Sequence, residues 1–377
     1  MSLKSFSFPA YTVGEIADSL QKCTGFQPTL GIIFSSPALG IPECAEAVSA
    51  FKFPVFGCST SGEILPVEGD LPVNDGTAAC CFLDIDPELF SVSLFNRDGQ
   101  TPEDFGRRIG EWGLSLYERP AFIVAIAGLK NDGEKIVRSI ESSCPEKTAI
   151  FGGIAGDDGN FVKTYVFSHT GYSTDGAVVL AFDGRRVEVQ GIATSGWAGV
   201  GADMVVTSSE GNVVHTINNR PALEIFREYL NVSDDIIQRV GVTFPLLVKR
   251  PDGSEVLRTF LSFDPAAGTL TFAGTIPQGA RVRFSSFFGY EIIEQSIGHL
   301  REFHSIHPRA DLVLIFSCMA RHEVAGPMVN DEIAAAAGLW EAPLIGFFSY
   351  GEIGLNPHGT CDFHNETLSL ATIRLKP

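Results

Sequence analysis

FGCSTSGEI, residues 56–64, runs from an apolar stretch through a glycine and a cluster of hydroxyl and thiol residues to a single carboxylate. IGFFSYGEI, residues 345–353, repeats the frame, with Gly346 over Gly57, Gly351 over Gly62 and Glu352 over Glu63. Each turn closes a longer unit. LGIIFSS (30–36) reads as a strand, and PECAEAVSAF (42–51) as a helix with Pro42 at a first-turn position and Ala45, Val48 and Phe51 on one stripe. Ahead of the second turn, LVLIFSC (312–318) is a strand, and a helix from about 327 to 340 carries Ile333, Ala336, Ala337 and Trp340 at helical spacing. A third unit lies between them: AFIVAIA (121–127), a helix near 132–142 with Ile136, Val137 and Ile140, then AIFGGIAGDDG (149–159), in which Gly152 matches Gly57 and Asp158 matches Glu63.

Three strand–helix–strand units with apolar strands imply layers of sheet covered by helices. The remainder is richer in strands. FVKTYVFS (161–168), GAVVLAFDG (176–184) and RRVEVQGIA (185–193) are separated by Gly and Asp–Gly turn signals and read as a meander. VVHTI, VTFPLLVK, EVLRTFLSF and TLTFAG are strand-like runs between 210 and 286. Helices are expected after the Thr12–Glu15 capping pattern, along Phe105, Ile109, Trp112 and Leu116, from Pro221 to about Leu230, and from Tyr290 to Phe303. The fold class is therefore mixed α/β: two domains with mixed β-sheets flanked by helices and built partly from repeated units. The boundary is set between 213 and 214, giving domains 1–213 and 214–377, because the sequence pattern restarts there.

Composition narrows the function. The chain has 377 residues, 45% hydrophobic, with 45 acidic against 27 basic residues and a net charge of −18. That is enough apolar content for more than one core. The negative field repels phosphate backbones and anionic lipid surfaces, so nucleic-acid and membrane roles are set aside. The first ten residues carry one lysine and no long apolar run, which points to a cytoplasmic protein. Eight cysteines without a C-x-x-C pair read as reduced, buried side chains rather than a zinc site.

The turns themselves suggest ligand chemistry. A strand ending in glycine and small polar residues presents N–H groups and hydroxyls at its carboxyl end, where ligands bind in α/β layers. The same glycines could equally serve the backbone alone. CSTS, GIAGD and FFSY differ in polarity, as pockets do. The candidate ligand contacts are Cys58, Ser59, Thr60, Ser61 and Glu63 in the first turn, and Tyr350 and Glu352 in the last. SCMAR (317–321) adds Ser317, Cys318 and Arg321, whose guanidinium suits an anionic group unless it pairs with Glu323 or Glu352. FHNET (363–367) adds His364 and Asn365 to orient a ligand. A thiol nucleophile at Cys318, with His364 or His322 as base and Asp362 orienting it, is the catalytic alternative; the apolar context of the thiol favours an inert side chain and no enzyme. His304 and His307 lack a carboxylate or thiol at matching spacing and read as a solvated helix end, not a metal site.

The paired GEI turns, SCMAR and FHNET, in this order, resemble the FIST proteins, with a FIST N region at roughly 25–210 and a FIST C region at roughly 220–360. The resemblance implies an intracellular sensory module that binds small ligands such as amino acids without catalysis and needs no cofactor. It also implies signalling to an output protein. Since the chain ends at Pro377 with no room for an output domain, the expected partner acts in trans, as a histidine kinase or cyclase-type protein would. Some free-standing FIST proteins bind haem as nitric-oxide sensors, which sets haem as the alternative cofactor, and a protein-recognition adaptor is the third reading.

Overall fold

The computed structural model describes residues 3–144, 148–250, 253–355 and 361–376. Its fold is mixed α/β. Three apolar runs form strands buried on both faces, Leu30–Ser35, Pro120–Ala127 and Leu312–Cys318. Each pairs in parallel with a second strand, Val55–Ser59, Ile150–Ile154 and Leu344–Ser349. A parallel pair needs a crossover. Helix Ile41–Ser49 supplies the first and Gly133–Ser143 the second; Met319–Ala325 and Val329–Leu339 together supply the third. Asp132 caps the second helix by accepting from the Lys135 amide at 3.0 Å.

The three sheets are built alike. The first has the order 4–10, 78–84, 30–35, 55–59, 166–168, 171–173. The second runs 90–96, 176–183, 120–127, 150–154, 352–355, 361–364, and the third 187–194, 368–375, 312–318, 344–349, 63–64, 73–74. In each, the strand next to the parallel pair is lent by another unit. Glu63–Ile64 leaves the first turn to join the third sheet, Glu352–Leu355 leaves the last turn to join the second, and Val166–Ser168 joins the first. Between the sheets lies one shared core, in which Phe34 meets Phe347 with ring centroids 4.7 Å apart.

A second core fills a curled antiparallel sheet inserted between residues 198 and 286. Its path runs 255–258, 246–249, 281–286, 198–210, 213–217, 269–272, 260–264, so its end strands are separated along the chain only by Thr259. Helix Ala222–Leu230 places Phe226 inside, against Phe260, Phe272 and Phe284. A buried ionic cluster fixes this barrel to the body. Arg258, fully buried, donates to Glu134 at 3.1 Å and to the Phe363 carbonyl, while Arg250 pairs with Asp362.

Three expectations from sequence are corrected. The runs at 166–168, 176–183 and 187–194 form no meander, because each joins a different sheet. VTFPLLVK is strand only at Leu246–Lys249; its first residues end helix Asp234–Thr243, and Pro245 separates the two. Asp158 does not match Glu63. Register places Glu63 opposite Phe347 and Glu352 opposite Gly153, and the corresponding partner of Cys58 is Val166. The loop after Ile154 is longer than its counterparts, and Asp157 organises it by accepting from the amides of Phe161, Val162 and Lys163.

Candidate functional site

The lent strands bring the three turns together. Ser61 N donates to Phe348 O and Phe348 N to Gly62 O; Gly156 N donates to Ser59 O and Asp158 N to Thr60 O; Ile154 N donates to Gly351 O and Tyr350 N to Ile154 O, all at 2.8–3.1 Å. Every turn is thus bonded to both others. Ser59 closes one seam, its hydroxyl donating to Gly156 O at 2.6 Å and accepting from Tyr165 N at 2.8 Å.

Glu63 and Glu352 make the same contacts. Glu63 accepts from the Thr60 hydroxyl and from both the amide and hydroxyl of Thr77; Glu352 accepts from the Ser349 hydroxyl and from both groups of Thr367. Both are buried, and burial outweighs these donors, pushing Glu63 up to about 7 and Glu352 to about 8. They are anchors for the turns. Cys58 and Cys318 are buried thiols driven well above their ordinary value by desolvation, with nearby carboxylates adding to the effect, which is the reverse of what a nucleophile needs.

Where the ring of turns opens outward lies a cleft of ≈ 410 Å³, lined by Ser61, Asp75, Gly76, Asp158, Gly159, Met319, His322 and Glu323. Gly62 makes it possible: its φ is +116°, and a Cβ there would lie 3.0 Å from Asp75 Oδ1 and from the Phe348 ring. The His322 ring stacks on Phe348 at 4.4 Å, with Nδ1 3.8 Å from Asp75 Oδ1. Asp158 accepts from the Ser36 hydroxyl at 2.7 Å, yet its carboxyl is raised, first by burial and further by the charges of Asp75 and Asp157. Tyr350 supports the far wall. It stacks on Phe161 at 4.5 Å, its hydroxyl donates to Asp157, and it accepts from Gly159 N at 3.1 Å.

Of the twelve residues singled out from sequence, Ser61 lines this cleft and Tyr350 stands behind it. Ser59, Thr60, Glu63 and Glu352 bond the turns to their surroundings. Arg321 is buried and pairs with Glu332, not Glu323 or Glu352, while also donating to Ser195 O. Ser317, His364 and Asn365 are buried away from the cleft lining. Burial pushes the His364 imidazole down to about 4, so it is neutral at physiological pH. Asp75, Asp158, His322 and Glu323 were missed as a group; the only local hint was the Asp–Gly pairs at 75–76 and 158–159. Among the described residues no three His, Cys, Asp or Glu side chains converge as metal ligands would.

The protein is mixed α/β, its three turns are bonded together beside the cleft, and among the described residues no helix is long and apolar enough to cross a membrane. The chain belongs to the FIST family: residues 29–220 match the FIST N domain and residues 222–355 the FIST C domain. FIST domains are associated with sensory and signal-transduction proteins and are in general non-catalytic. Two uncharacterized proteins, from Mycobacterium bovis and Mycobacterium tuberculosis, are each 24% identical over 224 residues, which is 55% of this chain and 56% of theirs. The chain thus spans about half the length of the curated relatives it matches.

Proposed function

We propose that this protein is a cytoplasmic sensory component that binds a small polar, amino-acid-like ligand in the cleft without transforming it. Occupancy passes to a separate signalling partner, such as a histidine kinase or cyclase-type output protein. The observation that carries the reading is the cleft itself, within the ~300–1,000 Å³ range of small-molecule sites, at the place where all three turns are bonded together. Its charge selects the end of the ligand that enters. Asp75, Asp158 and Glu323 line one space, and the Asp158 carboxyl, raised first by burial and further by the charges of Asp75 and Asp157, is one whose ionised form a bound ammonium group would favour. Ser61 is the hydrogen-bonding neighbour, and Met319 with the His322 ring offers an apolar flank.

In this reading the first and last turns are copies of an internal repeat, and the domains 1–213 and 214–377 meet at the cleft. Ligand contact with Ser61 and Asp158 from one and Met319 and His322 from the other favours one arrangement of the two. A thermal-shift panel tests it: amino acids and short amines beside their N-acetylated counterparts. A ligand at 100 times its Kd adds about 2.7 kcal/mol to stability. Saturable stabilisation by amine-bearing compounds, lost on acetylation, supports the reading. No stabilisation by any amine, or equal effects of the acetylated set, rejects it.

A further inference from the structure

Behind helix Met319–Ala325, on the side away from the cleft, four buried side chains meet at the junction of the barrel with the third sheet. Arg321 pairs with Glu332, and its guanidinium carbon lies 5.6 Å from the centre of the Trp197 ring. Ser195 ties the group together: its carbonyl accepts from Arg321, and its hydroxyl donates to the Glu366 carbonyl at 2.8 Å and accepts from Trp197 N at 3.3 Å. Glu366 is held from the barrel by the Thr259 hydroxyl at 2.7 Å. All four side chains are more than nine-tenths buried. Each nevertheless keeps one polar atom without a partner among the described residues: Arg321 Nε, Trp197 Nε1, Glu332 Oε2 and Glu366 Oε2. Beside them Asn365, 1% exposed, leaves both atoms of its amide unpartnered.

Buried polar atoms are almost always satisfied, so a cluster of orphans within one set of contacting residues marks a place that something else completes. We propose that these side chains line an enclosed second site, separate from the cleft, whose occupant is a small uncharged molecule of the carboxamide or urea class. The orphans are two N–H donors and two carboxyl oxygens. The amide carbonyl accepts from Arg321 and Trp197 and lies against the Glu366 carboxyl, which keeps its proton and is a donor there, while an amide N–H donates to the Glu332 carboxylate. Net charge decides against an ion. Arg321 and Glu332 neutralise each other, and burial raises Glu366 to about 8, leaving it protonated at neutral pH with no counter-charge to offer. An apolar guest would leave all four atoms unmet. Because Thr259 comes from the barrel segment, Trp197 from the residue just before its first strand, and the rest from the C-terminal sheet and helices, the occupant sits where the barrel joins the body.

The test is a titration of the 15N-labelled full-length chain with propionamide, following the three tryptophan indole N–H signals, with Trp197→Phe assigning the relevant one. The expected result is a saturable shift of the Trp197 signal, with acetate and methylammonium at least tenfold weaker. A shift that never saturates, or one matched by either ion, overturns the proposal. A crystal grown with propionamide gives an independent readout if Trp197→Phe does not fold. Amide density between Arg321 and Glu366 supports the site, and a single water bonded to the four orphans overturns it. Neither readout depends on the cleft.

Discussion

Between pH 6.5 and 7.5 the protein should become less stable as pH rises, against the usual direction for carboxylates. Glu63, Glu352 and Glu366 are buried, and desolvation lifts Glu63 to about 7 and the other two to about 8 from an ordinary value of 4.5. The folded state therefore holds protons that the unfolded chain has already released. For a raised carboxyl, the stabilisation is complete below the unfolded pKa and is lost as pH climbs through the folded one. Nearly one extra proton on each of Glu352 and Glu366 corresponds to about 1.2 kcal/mol lost per pH unit apiece, and the half-proton on Glu63 adds about 0.7, for about 3 kcal/mol together. His364 acts oppositely, since its value is depressed to about 4 from 6.5; the unfolded imidazole gives up its remaining half-proton across this window, which returns only roughly 0.3 kcal/mol. Cysteines of the unfolded chain ionise mainly above this window. Urea denaturation at half-unit steps measures the slope, and Glu352→Gln should lower it by about two-fifths. A stability that stays flat or rises from 6.5 to 7.5, or an unchanged slope in Glu352→Gln, refutes the reasoning.

Two further outcomes follow from single contacts. Glu134→Ala strands the fully buried Arg258 and should cost about 3–5 kcal/mol in urea unfolding, whereas the joint replacement Glu134→Leu with Arg258→Met should recover most of that loss; a loss below about 1 kcal/mol for the single change would show that the cluster carries no strain when broken. Gly62→Ala forces a side chain into φ +116° and against Asp75 and Phe348, and should cost about 1–3 kcal/mol together with any thermal shift given by cleft ligands; wild-type stability would contradict the backbone assignment.

Local pattern carried much of the fold. The helix predicted near 132–142 lies at Gly133–Ser143, and the one predicted from Tyr290 runs to Ile306, because capping residues and 3.6-residue periodicity are local properties. Pairing is not local. Strand Val187–Thr194 joins Leu368–Leu375, about 180 residues away in sequence, and nothing in its alternation says so. The same reason hid the cleft. Its lining comes from four separate stretches, near 61, 75, 158 and 319, which only the exchange of strands between sheets brings together. Arg321 illustrates the converse error. Its chemistry suits a ligand anion, but helix Val329–Leu339, packed beside it, supplies Glu332 as a buried partner that sequence alone did not pair with it.

The central claim is that the cleft recognises an ammonium group through Asp158 and its neighbours. Calorimetric titration of the strongest amine from the thermal panel into wild-type protein and Asp158→Asn tests it most directly. Removing one side of a charge-assisted hydrogen bond costs about 1.5–3 kcal/mol, so affinity should fall roughly 10- to 150-fold while the fold, checked by circular dichroism, is retained. Equal affinity in the two proteins would place the ligand elsewhere and contradict the account.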